Sequence, residues 1–384
     1  MSEDLLRSPL HDRHLALEAH LGDLAGWQMP LSYRSALDEV QQCRRRAGIF
    51  DVSHVGRIRI RGDGALDLLE RLCTHDVARQ EDDTAEPTLL CNERGGVIDN
   101  GFLLRLSDHW LLTTNPHNRA KVLEHLRSEA QGRDVRIDDQ TQRTAQLAVM
   151  GPQAATLLDA ILPFKPSQTP HLGVQSGSFM IASYTAARVT SSGDWGLEVI
   201  VSTMVASLAW DFVVRKAGDN CIAPCGLAAH DVLRLEAGIC AYGHELNETI
   251  DPITAGLEGL VSIGHDFIGR DAIEKIRQRG PARRRVGLRL TQPLADLKKD
   301  PTVDEGIAVV GSTALPRLGM AVLATDGLEI GTITSGTYSP TLEATIAMAY
   351  VATDIQEDDE VLLELAGQRQ SAKIVPLPFY HHTK

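Results

Sequence analysis

The chain has 384 residues, 43% hydrophobic and 23% charged, which is typical of a soluble globular protein of two or three domains. Its 38 basic and 51 acidic side chains give a net charge of −13, which excludes a general nucleic-acid binder and a protein that docks on anionic lipid. Aromatic residues make up only 4%, which argues against an aromatic platform for single-stranded nucleic acid.

The sequence also lacks the usual targeting signals. No stretch approaches 18 consecutive apolar residues, and the first 14 residues contain no hydrophobic run of signal-peptide length. The cysteines are spread along the chain, and Cys221 and Cys225 form a lone C-x3-C pair without a histidine couple nearby. We therefore predict a cytoplasmic protein with reduced, buried thiols and no metal site.

The first elements are recognised from their caps and periodicity. Residues 35–47 predict a helix with Ser35 as N-cap and Gly48 at the C′ position. Residues 57–61 alternate with period two, which predicts a half-buried strand. Asp63 is then expected to cap a helix that presents Leu66, Leu69 and Leu72 on one side.

The middle of the chain alternates between strands and helices. A turn at 92–96 leads into predicted strands at 97–106 and 110–114, followed by an amphipathic helix around 120–126. A further strand is predicted at 145–150.

The pattern then changes towards strands. Pro152 is expected at the first position of the next helix. Residues 178–201 predict two or three strands broken at 191–194, and residues 226–237 predict a helix. After residue 285 short strands with Gly and Pro turns predict a small β-barrel.

The domain boundary is expected near 275–285, which divides the chain into residues 1–280 and 281–384. Residues 293–314 show mixed charge and no clear period, so they are interpreted as a loop insertion in the second part.

No standard catalytic signature is present, but several polar side chains lie on rigid elements. Asp99 and Asn100 are consecutive in a strand, so only one of them faces a given cavity. Asn115 follows the next strand and carries an amide suited to the edge of a heterocycle. Glu198, between apolar neighbours, either faces an open side or binds a ligand, and the helical His230 is either structural or catalytic. These residues alone name no substrate.

Nine phrases occur in an order that resembles the aminomethyltransferase family, the T-proteins of the glycine cleavage system. They are AGWQMP at 25–30, AGIFDVSHVG at 47–56, CNERGGVID at 91–99, QLAVMGPQA at 146–154, PCGLAAHDVLRLEAG at 224–238, YGHELNETIDP at 242–252, DFIGRDA at 266–272, RRRVGL at 283–288 and GTITSGTYSPTL at 331–342. Any one phrase is weak evidence for the family, whereas nine phrases in the same order over most of the chain are specific evidence for it.

The resemblance implies an α+β fold of three domains in a cloverleaf-like arrangement around a central cavity. Two intertwined α+β domains would form residues 1–280, and residues 281–384 would form the β-barrel. It further implies transfer of a one-carbon unit to tetrahydrofolate from an aminomethyl group on the lipoyl arm of a carrier, the H-protein, with release of ammonia.

When the family's site residues are matched to this sequence one by one, the resemblance implies a site in which several residues differ from the family pattern. The second Asp of the family's G-G-[VI]-[IL]-D-D phrase is Asn100 here, so Asn100 and Asp99 are the catalytic candidates. An amide keeps hydrogen-bonding shape but carries no charge and exchanges no proton with the substrate. Asn115 and Glu198 match the family's folate-binding Asn and Glu, whereas His230 replaces the Arg of its A-R-D phrase.

Other expected folate contacts are Val55, in the DVSHVG phrase, and Trp195, a candidate replacement ring. Aromatic positions of the family hold Pro87, Ser191 and Gly259 in this chain. A ring stacked on a flat heterocycle contributes on the order of 1–3 kcal/mol, so these losses predict weaker folate binding unless new contacts compensate.

Two alternatives remain open at this stage. One is a folate-dependent demethylase on the same fold, and the other is a folate-binding paralog without catalytic activity. A member of the iron–sulfur-assembly branch is disfavoured, because residues 265–270 lack the Cys and Lys of that branch's K-G-C-Y-x-G-Q-E phrase.

Overall fold

A computed structural model describes residues 5–162, 164–179, 182–218, 221–292, 315–365 and 367–382. The predicted loop insertion at 293–314 lies outside the described residues. Within them the helices are α1 (His11–Ala16), α2 (Ala36–Arg45), α3 (Ala65–Leu72), α4 (Arg119–Glu129), α5 (Ala154–Ile161), α6 (Thr203–Lys216), α7 (Leu227–Glu236) and α8 (Arg270–Arg279). None of these is long and apolar enough to cross a membrane.

The strands alternate with these helices in the first part of the chain and follow one another in the last. They are β1 (Leu6–Arg7), β2 (His20–Leu24), β3 (Trp27–Ser32), β4 (Gly48–Asp51), β5 (Gly56–Arg61), β6 (Thr84–Cys91), β7 (Val97–Leu106), β8 (His109–Thr114), β9 (Arg136–Asp139), β10 (Thr144–Met150), β11 (Val174–Phe179), β12 (Ala182–Ala187), β13 (Gly196–Ser202), β14 (Ala223–Pro224), β15 (Arg283–Leu290), β16 (Ala321–Leu323), β17 (Glu329–Ser339), β18 (Ala344–Ala352), β19 (Glu360–Leu365) and β20 (Gln368–Val375).

Two large sheets form most of the N-terminal part. One has six strands in the order β11-β12-β13-β10-β4-β14, and the other has five in the order β6-β7-β8-β5-β9. A small three-stranded sheet, β1-β3-β2, precedes them. The last six strands close into a barrel in the order β15-β18-β17-β16-β19-β20, which confirms the predicted C-terminal β-barrel and the α+β class.

The hydrophobic cores follow from the alternation of side chains between the two faces of each strand. Ile58 and Ile60 on β5 pack with Leu68 and Leu69 of α3 on the helix-covered face of the five-stranded sheet. The six-stranded sheet packs one face on α5 and α6 through a second core. The other faces of the two sheets meet through Leu104, Ala187 and their neighbours. Gln146 and Glu198 lie between these facing sheets.

Several predicted elements are confirmed, while some of their predicted ends are wrong. Ser35 caps α2 by accepting a hydrogen bond from the Asp38 backbone N–H. Gly48 begins β4 instead of ending that helix, because it pairs with Met150 of β10. Asp63 does not cap α3, whose N-cap residue is Gly64.

Pro152 was expected to open α5 directly, and the structure places it in the turn before the helix. The N-cap of α5 is Gln153, and the helix begins at Ala154. Because the preceding Gly151 has a φ of +136° and its Cβ position lies only 2.5 Å from the Arg46 carbonyl oxygen, this turn needs glycine and delays the helix.

Candidate functional site

A small cavity lies between the facing sheets. It is lined by Phe102, Leu104 and Thr113 from the five-stranded sheet and by Gln146, Thr185, Ala187, Val189, Glu198 and Ile200 from the other. A cleft of about 390 Å³ shares Thr185 and Ile200 with this cavity and opens beside it. The cavity itself has a volume of only about 10 Å³, enough for about one water molecule. Its lining is mostly apolar, with polar side chains from Thr113, Gln146, Thr185 and Glu198, so it provides a polar edge beside the larger cleft.

Glu198 is held at the cavity wall by Gln146. In the pairing of β10 with β13, Glu198 lies opposite Ala148 and Gln146 lies opposite Ile200, so both side chains share one face. The Gln146 Nε2 donates to Glu198 Oε2. Burial raises the pKa of Glu198, and the Gln146 bond and the nearby Arg57 partly offset that rise. The other oxygen, Oε1, remains for a ligand.

Asn100 presents an unpartnered acceptor. It lies half-buried on β7, opposite Leu89 of β6. Its Oδ1 is buried and makes no hydrogen bond among the described residues. Because an unsatisfied buried carbonyl is costly, this oxygen marks a position where a ligand donor fits.

Asp99 occupies the opposite face of β7 and supports the loop after β8. It is 2% exposed and accepts hydrogen bonds from the Asn115 backbone N–H at 3.0 Å and the Asn118 Nδ2 at 2.8 Å. Burial raises the pKa of Asp99 to about 7. The contacts give Asp99 a positioning role towards Asn115 and not a place in the cavity itself.

Asn115 and Val55 lie at the same end of the five-stranded sheet. Gly56 pairs with Thr114, so the residues that flank this pair are neighbours at the sheet end. The Asn115 backbone is fixed by Asp99, and its half-buried amide has no hydrogen-bond partner in the part of the chain that the structure describes. Val55 packs against the core that contains Phe50.

His230 and Ser191, two positions at which this chain departs from the family pattern, touch one another. The Ser191 Oγ lies 2.7 Å from His230 Nε2, and the imidazole meets Phe50 edge-on at 5.5 Å between ring centroids. Burial lowers the pKa of His230 to about 4, so the ring is neutral at pH 7. The two substitutions therefore form one coupled polar pair.

His54 is a residue that sequence reasoning missed as a site candidate. It is 6% exposed, and its Nδ1 has no hydrogen-bond partner among the described residues. Burial lowers its pKa to about 3; Asp51 opposes this shift, while His230 and Arg57 add to it. The influence of His230 on His54 shows that both imidazoles lie in the same region.

The signal that could have found His54 is the DVSH motif at 51–54. The motif forms a turn, in which the Ser53 backbone N–H donates to Asp51 Oδ1 at 2.9 Å. The Asp51 carboxylate also accepts from Ser8 and from His14 Nε2, and these bonds fix the segment that presents His54.

The structure does not bring Trp195 to the cavity. Its ring packs against the core that holds Leu197, on the face of the six-stranded sheet opposite to Glu198. Arg188 lies 5.8 Å above the indole ring. Gly259, in contrast, lies beside open space, because a Cβ added there meets no atom within 4 Å.

Two family models match the chain. The model described as the GCVT N-terminal domain matches residues 10–265, which is more than half of the chain. The model described as the glycine cleavage T-protein C-terminal barrel domain matches residues 283–381.

Full-length relatives agree with these models. The chain is 37% identical to an aminomethyltransferase of Rubrobacter xylanophilus over 99% of this chain and 95% of the relative. It is 34% identical to an aminomethyltransferase of Geobacillus kaustophilus over 99% and 100% of the two chains. The solved structure of the glycine cleavage system aminomethyltransferase T from Bartonella henselae matches with a TM-score of 0.87 and 29% identity, over 99% of this chain and 100% of that one.

Proposed function

The chain belongs to the aminomethyltransferase family of glycine cleavage T-proteins, and from that premise we propose that it moves a one-carbon unit from a lipoyl-bound aminomethyl group to tetrahydrofolate and releases ammonia. The match spans both family models and the full length of the relatives. The donor is then the lipoylated H-protein, and the reaction takes place in the cytoplasm.

Polar groups in the cavity wall and on the neighbouring five-stranded sheet suit the folate. The Oε1 of Glu198 is left free by Gln146, and the amide of Asn115 offers both a donor and an acceptor. The buried Oδ1 of Asn100 lacks a partner within the described chain. These groups match a pteridine ring, whose edge carries N–H donors and a carbonyl acceptor. When bound, tetrahydrofolate supplies the nucleophilic nitrogen that takes the one-carbon unit.

The chain's own residues bind and orient the folate and exclude water from it. Glu198 and Asn115 hold the ring edge, and Asp99 fixes the loop that carries Asn115. Asn100 places an amide where the family has a carboxylate, so it orients without carrying charge. His54 and His230 stay neutral at pH 7 because burial lowers their pKa values to about 3 and about 4.

The domain division that we propose is residues 1–280 and 281–384. The first family model ends at residue 265 and the second begins at residue 283, which supports a boundary between them. α8 ends at Arg279, and the first barrel strand begins at Arg283.

The observation that carries the proposal is the free Glu198 Oε1 in a cavity of a chain that matches aminomethyltransferases over its full length. The test is the reconstituted reaction, with lipoylated H-protein, the partner enzymes, glycine and tetrahydrofolate. We expect methylenetetrahydrofolate and ammonia in equal amounts. A purified, folded chain that forms neither product would overturn the proposal.

A further inference from the structure

We propose that Gln146 is a positioning residue for Glu198: its N–H bond to one carboxyl oxygen keeps the other oxygen available as a hydrogen-bond acceptor for the ligand. We further propose that the buried Arg57 sets the orientation of the Gln146 amide. This inference rests on the proposed function, because it concerns how Glu198 meets the folate. Of Glu198, Gln146 and Arg57, only Glu198 is a site candidate in the sequence analysis. Gln146 and Arg57 belong to other strands, β10 and β5, and reach Glu198 only in the fold.

Arg57 is a buried cation surrounded by neutral oxygen atoms. Its side chain is 0% exposed, and every hydrogen bond that the structure gives its guanidinium ends on a hydroxyl, a backbone carbonyl or an amide oxygen. The acceptors are Thr144 Oγ1, Val55 O, Gln146 Oε1, Ser53 O, Thr141 O and Thr144 O. Burial lowers the pKa of Arg57 to about 10, so it remains charged at pH 7.

This cation leaves Gln146 one orientation. A guanidinium only donates hydrogen bonds, so the amide atom that faces Arg57 Nη1 at 3.4 Å must be the oxygen. The amide nitrogen then faces Glu198, where it donates to Oε2. Because Gln146 is 1% exposed, water does not compete for either bond.

The orientation of Gln146 in turn determines which Glu198 oxygen carries a proton. Oε2 accepts the Gln146 N–H, and the carbonyl oxygen of a neutral carboxyl is the better acceptor of its two oxygens, so this bond favours Oε1 as the site of a proton on Glu198. An ionised Glu198 therefore offers an acceptor to the cavity, and a protonated Glu198 offers a donor in its place. A ring edge that presents N–H groups is bound by the ionised form only.

The Gln146 bond also favours that ionised form. Burial raises the pKa of Glu198, and the N–H donated by Gln146 opposes the rise. Without Gln146, Glu198 takes up a proton at a higher pH. Folate affinity should then begin to fall at a higher pH as the solution is acidified.

The experiment uses Gln146→Met, which keeps the length of the side chain and removes the N–H. Tetrahydrofolate, handled without oxygen, is titrated into the full chain by calorimetry from pH 5 to pH 9. We expect the pH at which affinity falls to move up by about one unit, with affinity about fivefold lower at the wild-type midpoint and about tenfold lower well below it. Ionisation of the ligand is common to all variants and cancels in the comparison.

Two further variants make the result specific. Gln146→Glu places a second carboxyl beside Glu198, so the two share a proton and the pH at which affinity falls moves up further. Gln278→Met is the matched control, since the Gln278 Nε2 donates to the carboxylate of Glu274 at 2.9 Å on the exposed surface of α8. Thermal unfolding of each variant shows that it is folded.

The outcomes separate the two proposals. An unmodified chain that binds no tetrahydrofolate overturns the proposed function, and the inference falls with it. An unmodified chain that binds, together with Gln146 variants whose pH profiles match it, overturns the positioning role alone. An upward shift in both Gln146 variants and an unchanged profile in Gln278→Met support the role.

Discussion

At the scale of single residues, Asp99 and Asn100 divide two tasks between neighbouring positions of β7. Asp99 turns inwards and holds the Asn115 loop, while Asn100 leaves its Oδ1 without a partner among the described residues. Strand alternation requires the two side chains to face opposite sides. A carboxylate is thus present at this site, but it lies where it cannot touch the ligand.

Asn100→Asp tests whether the missing charge limits the reaction. The substitution restores a carboxylate on the cavity side, and we expect aminomethyl transfer to rise by about tenfold or more, the lower range of acid–base effects. The rate is measured at saturating tetrahydrofolate in the reconstituted assay, and the folate dissociation constant is measured separately. An unchanged rate with unchanged affinity would show that the replaced aromatic and Arg contacts limit the enzyme instead.

Asp99 makes stability depend on pH. Burial raises its pKa from 3.8 to about 7, so between these values the folded chain holds a proton that the unfolded chain has lost. Stability therefore falls as pH rises through this window. We expect the free energy of unfolding of the unmodified chain, relative to Asp99→Asn, to drop by about 2–4 kcal/mol between pH 4 and pH 8.

Urea unfolding at both pH values measures this difference. Asp67→Asn, at an exposed position in the first turn of α3, is the control and should show no such change with pH. Equal pH dependence in the Asp99 and Asp67 variants would contradict the assignment.

At the scale of elements, sequence reasoning located the helices α2 to α5 and α7 and several strands, because their periodicity is local, but it missed α1, α6 and α8 and the strands β2, β3, β4, β6 and β9. It found β7 with the observed bounds Val97–Leu106 and the Ser35 cap of α2. It did not foresee that Arg57, the first charged residue of an alternating strand, is fully buried. The oxygens that satisfy Arg57 come from segments up to 89 residues away, and alternation carries no information about them.

The candidate site was also predictable only in part: residues within the matching phrases were found from the sequence, and contacts between distant segments were not. The positions of Asn100, Asn115 and Glu198 follow from motif order. The structure places Glu198 in the cavity wall, Asn100 on β7 and Asn115 at the end of the five-stranded sheet. The pairing of Ser191 with His230 spans 39 residues and joins a loop to a helix, so it required the fold. Trp195 differs from the expectation because the strand that follows it turns the ring towards the α5 and α6 core.

The junction of α7 with the barrel rests on a buried ion pair. Arg234 Nη1 lies 2.9 Å from Glu245 Oε2, and Arg234 Nη2 donates to Ser335 Oγ of β17 at 3.1 Å. Glu245 also accepts from Thr334 Oγ1 at 2.6 Å. Burial opposes ionisation of Glu245, but Arg234 and these donors outweigh it and lower its pKa.

Arg234 also pairs with Asp231 at 2.8 Å, so removing Arg234 leaves Glu245 buried without its cation, whereas removing Glu245 leaves Arg234 with one carboxylate. We expect Arg234→Met to cost about 3–5 kcal/mol in urea unfolding, Glu245→Leu to cost less, and the double variant to cost less than their sum. Arg71→Ala, which breaks the exposed Arg71–Glu129 pair, is the control and should cost under about 1 kcal/mol. If the single variants lowered the free energy of unfolding as little as Arg71→Ala does, the pair would not have this stabilising role.

At the scale of the whole molecule, the C-terminal segment ties the barrel to the loop before β13. Asp194 in that loop accepts from Tyr380 Oη at 2.9 Å and lies 2.8 Å from His382 Nδ1. Arg44 of α2 pairs with Asp194 and Glu236 and lies 3.7 Å above the Tyr380 ring. This junction joins segments that are far apart in the chain, from α2 to the C-terminal segment, and its loop also carries Ser191.

The C-terminal segment should therefore control the order of the Ser191 loop. In a chain ending at residue 375, Asp194 keeps Arg44 but loses both C-terminal contacts. We expect backbone amides at 190–195 to exchange hydrogen at least about tenfold faster, because a buried carboxylate that loses its donors favours opening of the loop. Hydrogen-exchange mass spectrometry at constant pH measures the effect.

Tyr380→Phe separates the hydroxyl from the ring. It removes the bond to Asp194 and keeps the aromatic face beneath Arg44, so we expect a loss of about 1 kcal/mol and a smaller rise in exchange confined to 190–195. Exchange at α4, which is remote from the junction, serves as the internal control. If the shortened chain lost stability while 190–195 exchanged as in the full chain, the segment would stabilise the barrel alone and leave the Ser191 loop untouched.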